Sequence, residues 1–173
     1  MTANAALPRR PVYLAWLPAF LFRPDPLPAR YVAKTWVLML GPSLVLGWIA
    51  AKLFPEAPGP DFNVETVGPW MTAFSLVVFA PAVETLILAA LVLLLRRFFG
   101  HGPAAIAGAA LWGVAHSLAA PTWGLIVWWP FLIMSIALMT WRSEGLWKAI
   151  ALVMIVHALQ NAFGAALLLL PGL

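Results

Sequence analysis

Five stretches of the chain run apolar for close to twenty residues with hardly a charge: Trp36–Phe54, Trp70–Leu95, Pro103–Ala120, Thr122–Trp141 and Leu146–Leu170. About 20 such residues, rising about 1.5 Å each, are what an α-helix needs to cross the hydrocarbon of a bilayer. None of the five alternates apolar and polar positions as a half-buried strand would. The pattern predicts an all-α, polytopic membrane helix bundle of about five transmembrane helices. Pro81 lies inside the second helix and predicts a kink, because proline has no N–H to donate. Trp36, Trp70, Trp123, Trp141 and Trp147 fall at segment ends, as expected of an interfacial aromatic belt.

Residues 1–35 differ. They are rich in proline and carry Arg9, Arg10, Arg23, Arg30 and Lys34. Between the basic groups, Val12–Phe22 is apolar but too short to span and is broken by Pro18. No small-residue cleavage site follows it, so it is expected as an interfacial segment on or dipping into the membrane surface rather than a signal peptide. The chain thus divides into a basic, Pro-rich surface segment, 1–35, and a transmembrane domain, 36–173.

Composition agrees. Hydrophobic residues make up 64% of the 173 and charged residues 9%, against about 25% charged in soluble domains. There is no cysteine, which excludes disulfides, thiolate metal sites and a thiol nucleophile. The net charge of +4 reads as topology. With the N-terminus cytoplasmic, the five basic residues of the first segment, Arg96, Arg97, Arg142 and Lys148 all fall on one side. Lys52 alone falls on the other, beside Glu56, Asp61 and Glu65. That asymmetry predicts N-terminus in and C-terminus out, as in a bacterial inner membrane. No basic stripe interleaved with aromatics suggests nucleic acid; the partner expected from composition is the lipid bilayer.

Against this apolar background a few polar groups stand out. Glu84, His116 and His157 lie away from helix ends, and Asn161 shares a helix face with His157 at i,i+4. An ionisable group at mid-membrane costs roughly 2.5–3.5 kcal/mol, so each points to a function. Counted from the cytoplasmic ends at about 1.5 Å per residue, they lie roughly 16, 20, 16 and 22 Å deep, one layer slightly beyond the midplane. Ala105, Ala109 and Gly113 flank the His116 face; small residues there let a neighbouring helix approach and turn His116 inward. Singly, each histidine could be a bundle hydrogen-bond partner, the glutamate could be kept neutral in an apolar site, and the asparagine could be interhelical glue. Together at one depth they read as a site. Ser117 faces away from His116, no HExxH motif occurs, Asp25 and Asp61 lie in loops, and Gly41-Pro42-Ser43 only weakly echoes a serine-protease turn.

The order of these residues resembles the CAAX prenyl protease and bacteriocin-processing family of intramembrane proteases, whose motifs are Glu-Glu-x-x-x-Arg, Phe-x-x-x-His and His-x-x-x-Asn. Here Ala80-Pro81-Ala82-Val83-Glu84 resembles the approach to the first, Trp112-Gly113-Val114-Ala115-His116 the second and His157-Ala158-Leu159-Gln160-Asn161 the third. Thr85 stands for the second Glu, Ala89 for the Arg and Trp112 for the Phe. The resemblance implies a glutamic-type intramembrane endopeptidase that cuts in or near a membrane-associated C-terminal segment. In it Glu84 activates water with His116, while His157 and Asn161 stabilise the oxyanion, and no cofactor is needed. The alternatives are a zinc metalloprotease holding metal on Glu84, His116 and His157, haem ligation by His116 and His157, a proton or solute pathway, and a non-catalytic binding or immunity protein.

Overall fold

The structure, a computed structural model, describes residues 11–169; Arg9, Arg10 and the end of the last predicted segment lie outside them. Among the described residues there are helices and turns and no strand. We number six helices: α1, Pro28–Leu53; a one-turn α2, Val64–Val67; α3, Pro69–Phe99; α4, His101–Ala119; α5, Trp123–Trp141; and α6, Leu146–Leu169. Four of them, α1, α3, α5 and α6, are long and apolar enough to cross a membrane. The chain is an integral membrane protein with an all-α bundle.

The fifth predicted span, α4, forms as a helix of 19 residues, but it falls outside that apolar set. Its buried positions are Gly102, Ala104, Ala105, Gly108, Ala109 and Gly113, which carry little hydrophobic surface of their own. They serve close approach instead. A Cβ added at Gly124 of α5 would strike the Gly113 carbonyl oxygen of α4 and the Ser117 hydroxyl. The two backbones touch there, as small residues permit in membrane bundles.

From α3 onward connections are short, so successive helices are antiparallel neighbours, whereas α1 packs on α5 and α6. Gly100 alone links α3 to α4, at φ +79°, a left-handed angle that suits glycine. Gly145, at φ +125°, starts α6. The central helix is α5: 72% of its spanning window is buried, against 17–28% for the other three spans. Ile133, Met134, Leu138 and Trp141 are sealed inside. The surrounding helices turn Val37, Trp48, Phe79, Ile87 and Leu94 outward, an apolar girdle suited to a lipid surround.

Two prolines shape the bundle through the carbonyls they leave unpaired. Pro42 in α1 has no N–H for the Leu38 carbonyl; Trp129 Nε1 of α5 donates to it instead, at 2.9 Å. In α3, Ser75–Phe79 is a π-helical turn in which the Ala80 N–H reaches back to the Ser75 carbonyl. The next bond of that register would come from Pro81, which has none to give. The Leu76 carbonyl so released accepts the Asn161 side-chain amide of α6, at 2.9 Å. The expected disturbance at Pro81 is therefore a wound-out turn, satisfied from across the bundle.

The segment before α1 is not confined to the surface. Val12–Leu14 and Ala19–Phe22 form short 3-10 turns. Leu14, Leu17, Leu21 and Phe22 are buried with the main core, while Val12, Tyr13 and Trp16 face outward. The Tyr31 and Thr140 hydroxyls both donate to the Leu21 carbonyl at 2.9 Å, pinning the segment between α1 and α5. Arg30 pairs with Asp25 at 2.7 Å and holds that carboxyl below its ordinary pKa. Of the predicted tryptophan belt, Trp70 and Trp147 are exposed, but Trp141 is buried, edge-on to Tyr31 at 5.2 Å.

Candidate functional site

Toward the end opposite the basic clusters, the bundle encloses a cavity of about 370 Å³, a size typical of ligand sites. Glu84, His116, His157 and Asn161 all line it. Three helices, α3, α4 and α6, thus bring the four polar groups to one place, as their depths predicted.

Each is held differently. His116 Nδ1 lies 2.9 Å from the Trp112 carbonyl oxygen one turn back. A carbonyl only accepts, so Nδ1 carries a proton, and when the ring is neutral its lone pair lies at Nε2. Trp123 sits edge-on to the ring at 4.6 Å. Phe131 of α5 packs against His116 at 5.4 Å and His157 at 5.5 Å, and Trp112 stacks on Phe131 at 4.8 Å and 7°. The two imidazoles are therefore braced by rings from the most buried helix.

His157 is 5% exposed and Glu84 24%. His157 Nε2 stands 3.7 Å from Glu84 Oε2, near enough to attract and too far for a direct hydrogen bond. On the far side of the ring, Nδ1 is 3.3 Å from the Thr85 hydroxyl. Asn161 has one amide hydrogen on the Leu76 carbonyl. Its second is the one available to anything in the cavity. Gln160 also lines the space, and its side-chain oxygen is buried without a partner.

Sequence reasoning missed several of these features. Thr85 stood out only as a departure from a motif, and its contact with His157 joins residues 72 apart. Phe131 sits in an unbroken apolar run and gave no signal. Ser43 does reach the cavity, but its hydroxyl is committed to the Met39 carbonyl at 2.8 Å. The α4–α5 turn is short, and the α1–α2 connection lies beside it: Pro60 and Phe62 line the cavity, and Phe62 packs edge-on to Trp123 at 5.7 Å.

No group of three His, Asp or Glu side chains among the described residues is disposed to hold a metal ion. The contact between Glu84 and His157 is direct, whereas His116 meets the cluster through Phe131.

A scan against protein-family models matched none, and searches of curated proteins and of solved structures found no match.

Proposed function

We propose that the chain is an intramembrane endopeptidase in which Glu84 activates water. The observation that carries this reading is the convergence of Glu84, His116, His157 and Asn161 on one cavity in an otherwise apolar bundle, where such groups are costly. Glu84 takes a proton from a water whose oxygen attacks the peptide carbonyl. The His116 Nε2 lone pair accepts that water's other hydrogen and orients it. His157 Nε2–H and the free Asn161 amide hydrogen donate to the oxyanion as it forms. When the C–N bond breaks, Glu84 returns the proton to the leaving amine. The motif order, Glu84 then His116 then His157 and Asn161, supports the same assignment through its resemblance to the CAAX prenyl protease and bacteriocin-processing group.

The substrate on this reading is a membrane-anchored protein with a C-terminal transmembrane tail. The basic residues mark the cytoplasmic side, so the N-terminus is inside, the C-terminus outside, and the cut falls near the outer surface of a bacterial inner membrane. The test is membrane proteomics of cells lacking the chain, complemented with wild type or with Glu84→Gln. Uncut C-terminal tails should accumulate without the chain and persist with Glu84→Gln. Reporter fusions after Arg97 and Leu173 should read inside and outside; the reverse pair would overturn the orientation. Zinc held by Glu84, His116 and His157 is the competing chemistry. It would be favoured by near-stoichiometric zinc in active protein, with activity lost on chelation and restored by zinc.

A further inference from the structure

Thr85 is fully buried, and its side chain faces the imidazole of a helix distant in sequence. We infer that Thr85 is a positioning residue for His157, and that together with the Trp112 carbonyl it fixes the two cavity histidines in opposite tautomers.

A buried hydroxyl needs an acceptor for its hydrogen, because an unmet donor costs about 1–3 kcal/mol. The partner the structure gives the Thr85 hydroxyl is His157 Nδ1, at 3.3 Å. If Nδ1 carried the ring proton, the hydroxyl oxygen would accept it and the hydroxyl hydrogen would be left without an acceptor, since no other partner is seen for it among the described residues. If Nδ1 is the lone pair, the hydroxyl donates to it and the ring proton sits on Nε2. That proton then points toward the Glu84 carboxylate, 3.7 Å away. With the proton on Nε2 the hydroxyl hydrogen has an acceptor; with it on Nδ1 the ring N–H still meets the hydroxyl oxygen, but the buried hydroxyl hydrogen is left unmet.

His116 has the opposite arrangement, since its Nδ1 faces a carbonyl at 2.9 Å and must donate. So His116 presents an acceptor at Nε2 and His157 presents a donor at Nε2. The two rings lean on the same Phe131, which limits ring flipping that would exchange these roles. Resting on the peptidase reading, this asymmetry separates the ring that orients water from the ring that donates to the oxyanion. It also gives a purpose to threonine at a position where the resembling family has a second glutamate. A carboxylate there would only accept, and it would call for the proton on Nδ1.

The tautomers can be read without substrate. The chain has three histidines, His101, His116 and His157. Full-length protein with isotope-labelled histidine in lipid nanodiscs gives the protonation of each ring nitrogen by long-range proton–nitrogen correlation. His101→Gln and His116→Gln variants assign the signals. We expect His157 unprotonated at Nδ1 and protonated at Nε2, with His116 reversed. Thr85→Val should lose the single-tautomer pattern of His157, and Thr85→Ser should keep it. Wild-type His157 protonated at Nδ1, or a Thr85→Val spectrum identical to wild type, would overturn the inference. Should Thr85→Val fail to insert, the wild-type spectrum decides alone. Because no cleavage is measured, the expected tautomers alongside an active Glu84→Gln would reject the peptidase reading and leave this one standing.

Discussion

The two halves of the bundle handle polar groups in opposite ways. At the basic end, the Tyr31 and Thr140 hydroxyls converge on one carbonyl, Trp141 is sealed against Tyr31, and the N-terminal turns fill the remaining space. At the other end, Glu84, His116 and Gln160 line a cavity, and the Gln160 oxygen is buried without a partner. The first half uses polarity to close the fold. The second holds polarity in reserve, on groups braced by rings and by a carbonyl that Pro81 set free. The packed core and the candidate site are thus spatially separate, and substitutions in each half should read out differently.

The largest effect should come from Glu84→Gln. Loss of a general base lowers the rate by roughly 10²–10⁴-fold, while thermal unfolding in detergent should be unchanged. His116→Ala and His157→Ala should fall as far, because groups that act as one unit do not lose activity additively. Next comes the packed half. Trp141→Ala should destabilise by about 3–5 kcal/mol, with the surviving folded protein still active, as judged by denaturation and activity per folded molecule. Full stability there would break the comparison.

Asn161→Ala sits on the boundary between the halves. It removes one oxyanion donor, for a loss of roughly 10²–10³-fold. It also strands the Leu76 carbonyl at a cost of about 1–3 kcal/mol. Activity and unfolding temperature should therefore fall together, unlike with Glu84→Gln. With stability as its only readout, Gly124→Ala places a methyl against the Gly113 carbonyl and should cost about 1–3 kcal/mol of packing strain. An unchanged unfolding temperature would show that α4 and α5 do not touch there.

Much of the fold was legible because a bilayer imposes one rule: backbone groups must be satisfied within the segment. The predicted segments all form helices, and α5 and α6 begin within a residue of their predicted starts. The start of α1 was not legible. It begins at Pro28 rather than Trp36, since Arg30 and Lys34 interrupt the apolar run, although a helix continues through an interface that tolerates charge. The burial of Leu14, Leu17 and Leu21 was hidden for a related reason: a short apolar stretch looks the same whether it meets lipid or protein. For the site, depth counting placed Glu84, His116, His157 and Asn161 together. It gave no hint of Thr85 against His157, nor of the π turn that makes Asn161 part brace, part donor. Those depend on helix rotation and on the register at Pro81, which hydropathy does not encode.

The central claim is that Glu84 delivers water to a peptide bond inside this cavity. It is tested most directly by purifying the protein that accumulates uncut, adding it to wild-type chain in nanodiscs in heavy-oxygen water, and weighing the products. The account predicts one heavy oxygen in the new C-terminal carboxyl with wild type and no product with Glu84→Gln. Equal cleavage by Glu84→Gln would contradict it.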